Sequence, residues 1–250
     1  MKYSFVTGQL ILRELKRKYS RSRLGILWSV LNPLLSMAVL SLVFSTMFRK
    51  SIENYPVYYV TGLILWNFFT GSTNAAMSAL ADNRTLLLQT SFPRAVFPVS
   101  RVLAALVNLI YSLAAYGVIL AVFAIRPTWR MVLFLPIVAL LGLFSMGVGF
   151  FLSILYAYFG DVRHLYGVVL TLWMYLSALF YPVTLLPPAM QAIVGENPVY
   201  CSIAAAGDCM MYGQVPSAGL WVRMALWAAV IFAAGSLCFF RNQSRIIQRL

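Results

Sequence analysis

The chain has 250 residues, 62% of them hydrophobic and only 10% charged, and its 19 Lys and Arg against 6 Asp and Glu give a formal net charge of +13. Soluble domains carry about 25% charged residues, so this composition excludes an ordinary globular enzyme or binding module and reads as an integral membrane protein. So basic a chain suggests nucleic acid as a partner, but its charges lie in short segments between long uncharged runs, where they mark topology, and no nucleic acid is expected.

Residues 1–23 come first. Phe5, Gly8, Leu12, Leu15 and Tyr19 recur at helical spacing with Ile11 beside them, while Arg13, Lys16, Arg17 and Arg21 fall mainly on the other face. This pattern predicts an amphipathic helix lying in the membrane interface, apolar side in lipid and basic side among the headgroups. The basic run stops at Arg23 and an uncharged run begins at once. That run is longer than a signal-peptide core and lacks an A-x-A-like cleavage site after it, so an uncleaved anchor is expected.

Uncharged runs then set the predicted spans at 24–48, 55–81, 102–125, 131–157 and 165–182, and a last run lengthened across a snorkelling Arg223 sets the sixth at 219–240. Each approaches the roughly 20 residues of helix that cross the hydrocarbon. Asn32 and Pro33 fall about 13 Å along the first span, where Pro33 removes a backbone hydrogen bond and bends the helix. Asn32 there should face protein or a wet path rather than lipid. The expectation is an all-α membrane protein with six transmembrane helices. An even number puts both termini on one side. On that side lie Lys2, Arg13, Lys16, Arg17, Lys18, Arg21, Arg23, Arg84, Arg94, Arg101, Arg163, Arg241, Arg245 and Arg249, fourteen of the 19. That side is therefore expected to be cytoplasmic.

Two connectors are unlike solvated loops. Residues 82–98 are predicted to be cytoplasmic, yet they carry Leu86, Leu87, Leu88, Phe92, Val96 and Phe97, with Pro93 and Pro98 bending the chain around Arg94. Apolar groups on a connector point to packing on the chain's own cytoplasmic ends or to a groove on a partner. Residues 183–218 are apolar but broken by prolines and glycines, which predicts short extracytoplasmic re-entrant helices rather than a span. Within them, Cys201 and Cys209 stand about 12 Å apart if one helix holds both, too far for a disulfide. A turn at Gly207 would bring them together, and spacing leaves both arrangements open.

The chemistry of catalysis is thin. Glu14, Glu53, Asp82, Asp161, Glu196 and Asp208 all lie outside the predicted spans, and His164 is the sole histidine. Asp161 and His164 could share a helical face, but two ligands do not make a metal site. No G-x-x-x-x-G-K-[ST] run is present, so the chain binds no nucleotide by that route. Ion-coupled transporters keep an acidic group or a histidine in the bilayer, and none is found in the spans. A transporter of this composition takes its energy from outside, and the apolar connector is where an external motor would push.

At this point the residues resemble a known family. "RSRLGILWSVLNPLL", "TSFPRAVFPVSRVLAALVN" and "YPVTLLPP…NPVY" stand in the order found in permease subunits of type-2 ABC exporters of polysaccharides, including O-antigen and teichoic-acid transporters. The resemblance implies a homodimer in the bacterial inner membrane that binds two copies of a cytoplasmic P-loop ATPase. That partner would use ATP and Mg, with no cofactor held by this chain. The cargo would be a lipid-linked polysaccharide moving through a channel at the dimer interface, lined largely by the first and fifth spans. By the same resemblance, Leu86, Leu87, Leu88, Phe92, Pro93, Arg94 and Phe97 belong to a coupling helix seated in the ATPase. Arg13, Lys16, Arg17, Tyr19, Arg21 and Arg23 belong to the interface helix at the cytoplasmic gate. Trp28, Asn32, Pro33, Trp66, Trp173 and Tyr175 are candidates for the substrate path, since sugar rings stack on flat aromatic faces; aromatics at span ends also serve as interfacial anchors. An ABC exporter of a drug or small lipid, a membrane-embedded glycan transferase and a purely structural scaffold are the alternatives.

Overall fold

The computed structural model describes residues 4–19, 25–44, 52, 54–89 and 92–246, and among them every regular element is helical. The α-helices are α1 (Ser4–Tyr19), α2 (Trp28–Phe44), α3 (Tyr55–Ser78), α4 (Arg84–Gln89), α5 (Val96–Val122), α6 (Phe134–Tyr158), α7 (Val162–Leu176), α8 (Pro188–Gly195), α9 (Pro198–Met210) and α10 (Ala218–Ile246). Among the described residues, three stretches are long and apolar enough to cross a bilayer: Val96–Val122, Trp129–Tyr158 and Ala218–Gln243. Leu31–Phe44 is a shorter apolar stretch. Helix α3 has 24 residues, but its second half carries Asn67, Thr70, Gly71, Ser72, Thr73 and Asn74, which lower its hydropathy. Helix α7 has only 15 residues.

Helix α3 is the axis of the structure. Proline in its first turn fixes the helical φ at no cost in hydrogen bonds. Its buried side, from Val57 and Val60 through Leu65 and Phe69, packs against α5, α6 and α9 to make the main core. A second, smaller core lies at the α1 end, where Leu10, Leu80, Leu87, Phe97, Phe150, Ile154 and Phe239 meet. Helices α6 and α10 approach most closely where two glycines face one another. A Cβ on Gly235 would stand 2.1 Å from the Gly147 carbonyl oxygen, and one on Gly147 would stand 2.4 Å from the Ile231 carbonyl oxygen. In lipid, helices associate through such backbone approach, because burial of apolar surface supplies no drive there.

The end of α7 differs from the expected span, which ran to residue 182. The helix stops at Leu176, and Ala178 takes a left-handed φ of 48°. Asn197 is the cause. Its Nδ2 donates to the Leu176 carbonyl and the Ser177 hydroxyl, both at 3.0 Å. Its Oδ1 accepts from Trp173 Nε1 at 2.9 Å and from the Val199 amide at 3.0 Å. One carboxamide thus holds the end of α7 and caps the start of α9.

Helix α9 runs through Gly207 without a turn, with Val199, Cys201, Ala205, Ala206 and Cys209 fully buried against the core. Both thiols are free, so of the two arrangements left open by spacing the bridged one is excluded. Asp161 and His164 are both exposed, and no group of metal-ligating side chains occurs among the described residues.

Candidate functional site

Between α1, α2, α3 and α5 opens a cleft of about 790 Å³, lined along α3 by Ile64, Asn67, Phe68, Thr70, Gly71, Asn74 and Ala75. From α5 come Arg101, Ala104, Ala105, Asn108, Leu109 and Ser112; from α2 come Trp28, Asn32 and Pro33; from α1 come Glu14, Leu15 and Arg17. Positions 67, 70, 71 and 74 are one stripe at i, i+3, i+4 and i+7, and 104, 108 and 112 are another at i, i+4 and i+8. The body of the cleft is uncharged, with amides and hydroxyls set among apolar groups such as Ile64, Phe68 and Leu109. Asn74 Nδ2 donates to the Thr70 carbonyl at 2.9 Å and Asn108 Nδ2 to the Ala104 carbonyl at 3.0 Å. The Thr70 hydroxyl donates to the Trp66 carbonyl at 2.9 Å, so these side chains are oriented by their own helices.

The α1 end of the cleft is closed by charge. Arg101 sits between two carboxylates, bonding Glu14 through Nη1 and Asp82 through Nη2, the latter at 3.0 Å. Its side chain is 7% exposed and that of Glu14 is 9% exposed. Asp82 also accepts from Arg17 at 3.3 Å and from the Ser78 hydroxyl at 3.0 Å. Arg13 bonds Asn83, which donates to the Ala79 carbonyl at 2.7 Å. One network therefore ties α1, the turn after α3 and the first turns of α5. Desolvated charges of this kind persist only when paired and hydrogen-bonded.

The expected substrate-path residues separate. Trp28, Asn32 and Pro33 line the cleft, with Pro33 buried inside α2. Trp66 is 6% exposed and packs on Phe69 in the core. Trp173 stands edge-on to Phe69 and Phe144 and serves Asn197 with its ring N–H. Neither tryptophan reaches the cleft. Tyr175 lies on the exposed face of α7 with Leu165, Val168, Leu172 and Leu176. Among the interface-helix residues, Arg13, Lys16 and Arg17 are exposed and Tyr19 ends α1, while Arg21 and Arg23 lie outside the described residues.

The connector also divides. Leu87 and Phe97, at 7% and 2% exposure, turn inward and belong to the second core. Their burial removes them from any surface offered to a partner. Leu88 is 56% exposed, Pro93 is exposed, and Leu86 and Phe92 are half-buried. Arg94 Nη1 donates to the Gln243 carbonyl at 2.5 Å, near the end of the described part of α10.

Asn67, Asn74 and Asn108, together with the pairing of Glu14 to Arg101, are what the charge-based reading of the sequence overlooks. Their signal was present as amides at helical spacing inside apolar runs. The cleft thus sets uncharged amides and hydroxyls among apolar groups, with ion pairs at its α1 end, in a chain with long apolar helices.

The family model for ABC-2 type transporters matches residues 6–211. The chain is 33% identical over 233 residues to an O-antigen export system permease protein, RfbA, of Myxococcus xanthus, covering 92% of this chain and 89% of that protein. It is 23% identical to the polysialic acid transport protein KpsM of Escherichia coli, covering 94% and 92%. A capsule polysaccharide export inner-membrane protein, CtrC, of Neisseria meningitidis serogroup A is 25% identical over 76% of this chain and 72% of its own. With the match spanning α1 to α9 and two of these relatives covering more than nine-tenths of the chain, this protein belongs to the ABC-2 type transporter family.

Proposed function

We propose that the chain is the permease subunit of an ATP-driven exporter that moves a lipid-linked polysaccharide of O-antigen or capsule type from the cytoplasm across the bacterial inner membrane. The observation that carries this is the 33% identity along 92% of the chain to an O-antigen export permease. The amides and hydroxyls of the cleft agree with it, because they can donate to and accept from sugar hydroxyls. In this reading α2, α3, α5, α6, α7 and α10 cross the membrane. Helix α1 lies at the cytoplasmic surface, where both termini also lie, and α8 and α9 lie on the outer side. The exposed apolar faces of α2 and α7 pair with a second copy, and the channel forms between them.

The chain carries no nucleotide motif of its own, so a separate cytoplasmic P-loop ATPase, two copies per dimer, hydrolyses ATP with Mg. It seats against α4 and the segment that follows it, where Leu88, Phe92 and Pro93 are presented. The test is gentle detergent purification of the tagged chain from its native membranes, with identification of stoichiometric partners. A P-loop ATPase at one to one, and loss of surface polysaccharide when the chain is deleted, are expected. A folded chain that reproducibly lacks such a partner, in cells whose surface glycan survives its deletion, overturns the reading.

A further inference from the structure

The cleft inside a single subunit carries a chemistry that a channel between two subunits does not explain. Asn32, Asn67, Thr70, Asn74, Asn108 and Ser112 converge on it from three helices. An amide placed in an apolar segment is disfavoured unless it meets a polar partner. Asn32, Asn67 and Asn74 remain exposed rather than packed against other side chains of the subunit. The N–H of Asn74 is held by its own helix, which directs the carboxamide oxygen away from the backbone as an acceptor. At the floor, Gly71 has open space where a side chain would stand. An exposed Trp28 ring lines the cleft beside Asn32.

Charge then narrows the ligand. The body of the cleft holds no carboxylate for a cationic drug. The charged groups at its α1 end, Glu14 and Arg101, are paired with each other and Arg17 is paired with Asp82. Apolar groups share the lining, but an acyl chain there would leave the amides and hydroxyls without hydrogen-bond partners, whereas a sugar would serve both. The 790 Å³ volume lies within the roughly 300–1,000 Å³ of pockets that enclose a small molecule. We propose that this cleft binds uncharged, hydroxyl-rich sugar residues of the transported glycan, with Asn67, Asn74 and Asn108 as the groups that hydrogen-bond them and Trp28 as a stacking face. The site rests on the exporter reading; it shares α2 with the proposed dimer channel but lies on the side of α2 that faces α3 and α5, away from α7.

The test uses the complex of this chain with its ATPase in lipid nanodiscs. Gly71 is replaced by the photocrosslinking residue p-benzoylphenylalanine. The probe is the lipid-linked glycan fraction extracted from the source cells, tritiated at its diols by mild periodate oxidation and borotritide reduction. Gly117, also in open space but away from the cleft, is the control position. Label at position 71 should exceed that at 117 and be chased by unlabelled glycan fraction but not by the lipid carrier released from that fraction by removal of its glycan. Asn67→Leu with Asn108→Leu should raise the glycan concentration needed to stimulate ATP hydrolysis about tenfold, from the loss of two hydrogen bonds. Equal label at both positions, or chase by the bare carrier, overturns the site. If the glycan fraction stimulates the parent complex yet position 71 stays unlabelled, the site alone fails. If the parent complex is not stimulated, the exporter reading fails and the site with it.

Discussion

Arg101 has two carboxylate partners, and its burial makes their loss expensive. Removing either Glu14 or Arg101 leaves the other charge desolvated and short of a counterion, whereas removing both leaves an apolar gap that leucine side chains can fill. Glu14→Leu or Arg101→Leu alone should therefore destabilise by about 3–5 kcal/mol, and the double variant by much less. Denaturant titration of the detergent-solubilised chain reads this directly; single and double variants of equal stability would show that the pair is not coupled. A second residue-scale expectation concerns the cysteines. Burial pushes the thiols of Cys201 and Cys209 up to about 11, and both are fully covered in α9. Since only the thiolate reacts, maleimide should label neither in intact membranes at neutral pH, and mass spectrometry should find both reduced. In the sequence, Arg101 was legible only as one more cytoplasmic charge and Glu14 only as a carboxylate outside the spans. Which loop charges meet is a property of how three helices pack, and spacing along the chain does not carry it.

The helices themselves were more legible than their ends. Uncharged runs fall within or across α5, α6 and α10, though they miss the first six residues of α5 and the last six of α10, because a helix long enough to cross lipid cannot hide its apolar length. The early start of α5 at Val96 and the early stop of α7 at Leu176 were not legible. The first brings Arg101 inside a helix through the ion network, and the second depends on Asn197, which lies 21 residues beyond Leu176. Nor did glycine content identify the α6–α10 crossing. At that crossing any side chain on Gly235 collides with the Gly147 backbone, which a rotamer change cannot relieve. Gly235→Ala should lower stability by about 1–3 kcal/mol through overpacking. Gly117→Ala, in open space within α5, should instead gain about 0.5–1 kcal/mol from the reduced entropy of the unfolded chain. Thermal unfolding of the two variants in detergent should shift in opposite directions; a loss at both positions would mean that the crossing is not what limits Gly235.

For the whole molecule, the sequence carried the class of architecture and the family, since composition and three ordered motifs both survive folding unchanged. What it could not apportion was the connector, where seven residues with one expected role turn out to have two environments. Leu87 and Phe97 anchor the segment in the second core, Arg94 ties it to the end of α10, and Leu88 faces outward. A segment that is to receive force from a partner needs both features, an apolar surface to be gripped and a rigid attachment to the spans that must move. The two can be separated by substitution. Leu88→Asp adds a charge at an exposed position, so the chain should fold with unchanged stability while the copurifying ATPase falls by about tenfold, the effect of one lost apolar anchor. Leu87→Asp buries an unpaired carboxylate and should destabilise the chain itself by several kcal/mol. Arg94→Ala leaves the gripped surface intact but cuts the tie to α10, so the ATPase should stay bound and hydrolyse ATP while export per ATP declines. Copurification, melting temperature and surface glycan together separate these three outcomes. If all three variants lost the ATPase to the same degree, α4 would be acting as a single contact patch, and the division between gripping surface and attachment would fall.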